Sequence, residues 1–229
     1  MIARRTLLRS LPLLAVPPLV YASGLATAEE PTPQERKLAN RLELWGSYAR
    51  RTQNLMARLS TRRETSLLEE PHHSTGTLVF RDPGLLVLRD DGRQGSTTLI
   101  DGDQLRIFQN GAAPGDPSTT VADLRPAAQW LARRLVAMFA PGDGSALLND
   151  ARTHVPKGHG HRLELMPPVG SAARRMIRSV SVVLDPVVGT ITQIAVAEAQ
   201  GDRVVLGLSD HRQNLPDEDV EAFLATLDA

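Results

Sequence analysis

The sequence of 229 residues contains no cysteine. That absence excludes disulfides, thiol nucleophiles, iron–sulfur clusters and cysteine-based zinc sites. It also removes the residue that carries an N-terminal lipid anchor. Aromatic residues make up only 3%, which speaks against stacking platforms for bases or sugars. Neither sign of charge prevails: 26 Lys and Arg balance 26 Asp and Glu. The chain as a whole therefore has no electrostatic footprint for nucleic acid or a strongly anionic surface. What is present is a hydrophobic fraction of 41%, enough for one core in a chain of this length.

Residues 1–28 read as an address. Arg4, Arg5 and Arg9 form a basic start, an apolar run follows, and Ala26-Thr27-Ala28 supplies small residues for cleavage. The run "RRTLLR" resembles a twin-arginine signal with Leu in place of the usual Phe. The alternative is an uncleaved anchor over Ser10–Ala28, which Pro12, Pro17 and Pro18 weaken as a stable helix. Cleavage would leave 23 positive and 26 negative side chains over residues 29–229. The expected destination lies outside the cytoplasm, with a single domain over 29–229 and no transmembrane segment after cleavage.

Thr32-Pro33-Gln34-Glu35 has the pattern of a capping box with Pro at the first helical position. Leu38, Leu42, Trp45, Ala49, Leu55 and Leu59 continue it as one apolar stripe. A meander is expected over Thr75–Arg106, with turns at Asp82-Pro83-Gly84 and Asp101-Gly102. The stretch "EEPHHSTG" before it reads as a loop. A Gly/Pro/Ser-rich loop over Asn110–Thr120 precedes a helix over 126–140. The strands "HRLELMP" and "MIRSVSVVLDP" come next, with Ile177 and Val183 expected on one face of the second. A hairpin about Gln200-Gly201-Asp202 follows, and "PDEDVEAFLATL" closes the chain as a short helix.

Candidate chemistry is thin. His159 and His161 share a strand face, yet a metal would need a third ligand such as His154 or Glu164. His72-His73 point apart, and no metal is expected. Ser209-Asp210-His211 are neighbours in sequence, which does not make a triad, and no G-x-S-x-G elbow occurs. Asp82, Asp90, Asp91 and Asp101 stand at turns, where Asp bonds locally. No phosphate loop is present, so no nucleotide or other cofactor is expected. Catalysis is not the expected activity.

"LLVL" at 85–88 is too apolar for a half-solvated strand. Either its neighbours close-pack, or the sheet lines an apolar pocket suited to acyl chains. The residues proposed for such a surface are Leu86, Leu88, Leu99, Leu105 and Ile107, with Trp130, Leu131 and Leu135 packing over it from the central helix.

Three segments resemble the periplasmic outer-membrane lipoprotein carriers, the LolA/LolB-like family. They are "GTLVFRDPGLLVL" at 76–88, "TTLIDGDQLRIF" at 97–108 and "VSVVLDPVVGTITQIAVAE" at 180–198. Their order and spacing, more than any one motif, carry the resemblance, which covers most of 33–209. It implies an α+β fold: a strongly curved antiparallel sheet forming an incomplete β-barrel, with helices covering the concave face. It implies a non-enzymatic carrier of acylated lipoprotein or lipid cargo, served by membrane-associated donor and acceptor proteins. A lipid-sensing or protein-binding scaffold of the same fold is the alternative. The carrier pattern places an Arg directly before the Pro to hold the helical lid; here that position is Asp82, with Arg81 one place earlier.

Overall fold

The computed structural model describes residues 30–66, 69–92, 95–102, 104–109, 120–121, 126–149, 151–159 and 161–227. The expected signal at 1–28 and most of the loop over 110–120 lie outside the described residues.

Helix α1 (Pro33–Ala49) starts as its sequence dictates. The Thr32 backbone N–H donates to Glu35 Oε2 at 2.7 Å, and the Glu35 N–H donates to Thr32 Oγ1 at 3.2 Å. Both ends of the capping box are closed, which satisfies two of the helix's otherwise orphaned donors. Hydrogen bonds to the carboxyl from the Thr32 backbone N–H and, to a lesser degree, its side chain hold Glu35 below its usual range.

The stripe beyond Ala49 is not helical. Leu55 and Leu59 belong to strand β1 (Asn54–Glu64), where Leu55, Ala57 and Leu59 are buried on one side. A four-residue spacing fits a strand period of two as well as a helix. The change of period falls at Thr52-Gln53-Asn54, whose groups are held from far along the chain. The Gln53 N–H donates to Asn214 Oδ1 at 2.8 Å, and Asn54 Nδ2 donates to the Leu215 carbonyl at 2.9 Å.

A meander follows: β2 (His72–Arg81), β3 (Leu85–Asp90), β4 (Ser96–Asp101), β5 (Gln104–Gln109) and the two-residue β6 (Thr120–Val121). Helices α2 (Pro126–Ala137) and α3 (Ser145–Leu148) then lead to β7 (Arg152–His154) and β8 (Arg162–Met166). Helix α4 (Ala172–Met176), β9 (Ile177–Leu184), β10 (Ile191–Glu198), β11 (Arg203–Gln213) and α5 (Asp217–Ala225) complete the order. His72 and His73, expected in a loop, instead open β2, and β7 and α4 were not foreseen.

All the strands pair antiparallel, in the order β6-β5-β4-β3-β2-β1-β11-β10-β9-β8-β7. The sheet is thus two meanders joined where β1 lies beside β11. This corrects the expected fold class. The α+β composition and the large antiparallel sheet hold, but the sheet is open and not strongly curled into an incomplete barrel. Closure would need its edges β6 and β7 to pair, and they do not. These edges are two and three residues long, too short to form a seam.

Both faces of the sheet carry apolar clusters. On the inner face, Leu55, Phe80, Leu86 and Ile100 join Trp45 and Ala49 of α1, Trp130 and Leu135 of α2, and Val180, Val182, Ile194 and Leu208 of the second meander. On the outer face, Val79, Val87 and Leu99 pack with Val220 of α5. The α5 helix is why "LLVL" is apolar on both sides: it covers the face that α1 and α2 do not. Ile177, expected beside Val183, is buried in the inner cluster, because the register shifts between Ala197 and Glu198.

Gly76 and Gly189 sit at close approaches. A Cβ on Gly76 would lie 1.9 Å from the Arg89 carbonyl oxygen of the next strand. Gly189 has φ +84°, and a Cβ there would lie 2.4 Å from the Leu44 carbonyl oxygen of α1. The Asp185–Gly189 turn therefore seats against the helix only because it ends in glycine. Asp185 Oδ1 accepts from the N–H groups of Val187 and Val188, both at 2.8 Å.

Candidate ligand-binding face

The inner face can be read row by row across the strands. One row is Leu55, Phe80, Leu86, Ile100 and Leu105, all buried. The next is Ala57, Leu78, Leu88, Thr98 and Ile107. It opens along its length: Ala57 and Leu78 are buried, Leu88 and Thr98 are half-buried, and Ile107 is 37% exposed.

Beyond that row the inner face turns polar. Thr61, Ser74 and Asp90 meet there: Ser74 Oγ donates to Asp90 Oδ1 at 2.9 Å, and Thr61 Oγ1 donates to the same oxygen at 3.3 Å. Arg63 lies opposite His72 in the register between β1 and β2. These residues, with Ser96 and Gln109, line a cleft of about 750 Å³. Leu88 precedes Asp90 by two positions, and Ile107 precedes Gln109 by two, so each apolar residue shares its face with a polar one about 7 Å along the strand. The face thus passes from apolar to polar over one side-chain repeat.

The residues expected to form an apolar surface fall as follows. Leu86, Leu105, Trp130 and Leu135 are in the inner cluster, with Leu88 and Leu131 half-buried at its margin. Ile107 occupies the exposed end of the second row. Leu99 lies opposite Val87 and sits on the outer face beneath α5. The Arg134 guanidinium stands over the Trp130 ring, 5.8 Å from its centre, and also donates to the Ala146 carbonyl.

Under the helices the inner cluster is close-packed. A void of about 10 Å³ lies between Trp45, Tyr48, Leu55, Met138, Phe139 and His211, which is room for about one water molecule. The Tyr48 hydroxyl is buried and makes no hydrogen bond among the described residues. Burial raises its pKa.

The residues weighed for other chemistry form no catalytic or metal-binding set among the described residues. Asp210, at φ +52°, is the bulge of β11 and pairs with Arg58 at 3.2 Å. The His211 Nε2 lies 2.8 Å from the Ile191 carbonyl oxygen, so the Ser209-Asp210-His211 neighbours do not converge. His154 Nε2 meets Glu164 Oε2 at 3.3 Å. Among the described residues no group of three or more His, Asp or Glu side chains could hold a metal ion. No helix among them is long and apolar enough to cross a membrane. Arg81 belongs to the outer face, where it pairs with Glu221 of α5.

No protein-family model matches the chain, and no curated protein matches it. Among solved structures it is similar to a LolA superfamily protein of Nitrosomonas europaea, at 11% identity and a TM-score of 0.39, over 78% of this chain and 94% of that one. It is similar to MucB in the Pseudomonas aeruginosa MucA/MucB complex, at 16% identity and a TM-score of 0.39, over 80% of this chain and 59% of that one. It is also similar to the Mycobacterium tuberculosis lipoprotein LppX, at 10% identity and a TM-score of 0.37, over 79% and 96%.

Proposed function

We propose that this protein is a non-enzymatic periplasmic carrier that receives an acyl chain of a lipoprotein or lipid on the inner face and delivers it toward the outer membrane. The observation that carries the reading is the second inner row, which runs from buried Leu78 to exposed Ile107 and borders the polar cleft of Arg63, His72 and Asp90. An amphiphile has the same polarity: a chain for Leu88, Ile107 and Leu131, and a head for the cleft. Each CH₂ removed from water contributes roughly 0.8 kcal/mol. A long chain must also part α2 from the sheet, because Trp130, Leu131 and Leu135 pack with Leu86, Ile100 and Leu105 in the inner cluster. That opening cost sets the affinity. Residues 1–28 are the proposed export signal, and donor and acceptor proteins at the two membranes are the proposed partners.

Native mass spectrometry with lipid extraction on protein released from the periplasm tests the reading. A fluorescent fatty acid supplies the binding assay, with circular dichroism as the folding control. Leu131→Trp should fill the margin of the cluster and weaken binding while leaving the fold intact. A folded wild-type protein that binds no acyl probe and carries no lipid overturns the proposal. The second reading, a scaffold that binds a protein partner, then stands in its place, and the close packing under α1 and α2 is the observation that favours it.

A further inference from the structure

The outer face of the second meander carries a cluster of arginines that does not follow the charge balance of the whole chain. Between β8 and β11 a concavity of about 420 Å³ has a floor of small side chains: Ser179 and Ser181 of β9, Ala195 and Ala197 of β10. Arginines stand around this floor. Arg162 comes from β8, Arg178 from β9 and Arg203 from β11. The register puts Arg203, Ala197 and Ser179 in one row across three strands. His159 and Pro156 complete the wall. The one acid, Glu164, is turned to His154 at 3.3 Å.

None of the three arginines has an acidic partner among the described residues. Arg178 reaches only a carbonyl, that of Glu198, at 3.4 Å. The Nε–H of Arg162 is buried and makes no hydrogen bond among the described residues. A buried guanidinium donor without an acceptor, beside two guanidiniums with no acidic partner and a floor too small to block approach, is a surface suited to an oxyanion. The neighbouring strand β1 adds Arg58 and Arg62, which have local partners in Asp210 and Glu64. The acids of α5 lie on the other part of this face, over β2–β4, where Val220 packs on Val79, Val87 and Leu99.

We infer that the outer face of β8–β11 docks on the phosphate headgroups of an anionic membrane, through Arg162, Arg178 and Arg203. A membrane suits the observations better than a single ion, because the arginines come from three strands and stand around an open concavity instead of enclosing a point. The site lies on the side opposite the inner-face cleft, so docking would leave that cleft free. The inference goes beyond the carrier reading and does not require it.

The test is co-sedimentation of the protein released from the periplasm with vesicles of phosphatidylcholine and phosphatidylglycerol in equal parts, against vesicles of phosphatidylcholine alone. Binding is expected to the anionic vesicles only, and to fall as salt screens the charges. Each arginine near an anionic surface contributes roughly a fivefold gain in affinity, so Arg162→Gln, Arg178→Gln and Arg203→Gln together should weaken binding on the order of a hundredfold. Arg36→Gln, an exposed residue of α1, should change it little, and circular dichroism checks that each variant is folded. Equal binding by the folded triple variant and the wild type overturns the inference. So does binding of inorganic phosphate, detected by calorimetry, without any binding to anionic vesicles. Binding to both vesicle types alike would also overturn it, since the arginines would then not be the cause.

Discussion

Trp45 Nε1 donates a 3.0 Å hydrogen bond to the carbonyl oxygen of Met138, so the indole of α1 supplies a partner for the backbone just past the end of α2. Both residues are buried, Trp45 at 2% and Met138 at 1% exposed. The final carbonyls of a helix have no partner within it, and water does not reach this one. The bond also clamps together the two helices that cover the inner face. Trp45→Phe should keep most of the packing and strand the Met138 carbonyl. The expected loss is about 1–3 kcal/mol in urea unfolding, with acyl-probe binding rising if parting the helices limits access. A stability unchanged from wild type would mean that the bond contributes nothing.

Gly76 should not tolerate a methyl group. Its Cβ would meet the Arg89 carbonyl oxygen, a backbone atom that cannot swing aside. Gly76→Ala should cost roughly 3 kcal/mol or more and separate β2 from β3. Gly142→Ala, where no atom lies within 4 Å of the new Cβ, is the matched control and should be near neutral. Thermal melts of the two variants compare them directly.

The α5 helix should be required for a monomeric fold. Ending the chain after Asn214 would uncover Val79, Val87 and Leu99, which are 0%, 0% and 7% exposed. Each such side chain loses roughly 1.5–3 kcal/mol of burial when exposed, and the new patch lies on a sheet face prone to association. Dye binding to exposed apolar surface and a shift to larger species in size-exclusion chromatography are expected. The gentler Val220→Ala should cost about 1–3 kcal/mol without association.

Acid should loosen the turn that docks on α1. The backbone N–H groups of Val188 and Val187 hold the Asp185 carboxyl below its usual value of 3.8. A depressed folded-state pKa contributes stability that is present above the unfolded value and is lost as pH falls through the folded one. Wild-type stability should therefore decline below about pH 3.8. Asp185→Asn, which keeps an acceptor oxygen and has no proton to gain, should show a shallower decline. Urea midpoints measured across that range in both proteins check the difference; identical slopes would remove Asp185 as a contributor.

Much of the local structure was legible in the residues themselves. Thr32 and Glu35 close the capping box they spell, Asp101-Gly102 turns a hairpin, and Val204, Leu206 and Leu208 take one face of β11. These features depend on contacts within a few positions, or on a period of two kept over a whole strand. The side of the sheet that Leu86, Leu88 and Leu105 take follows from the same alternation. The polar cleft was not legible. Thr61 and Arg63 lie in a strand whose spacing also fitted a helix, and only the pairing of β1 with β2 brings them opposite Ser74 and His72.

The remaining features were decided by the tertiary structure. Alternation in "LLVL" says that both faces need cover but not what covers them; α5 supplies it for Val87, and so Leu99 faces outward. Curvature was likewise beyond the sequence, because whether a sheet closes depends on its edge strands meeting, and β6 and β7 come from opposite ends of the strand order. Arg162, Arg178 and Arg203 are spread over 42 positions and look like ordinary surface charge in a balanced chain. Pairing β8, β9, β10 and β11 side by side is what gathers them around one floor. Short-range geometry is written into neighbouring residues, whereas which face is covered and which charges meet follows from pairings between residues far apart in the chain.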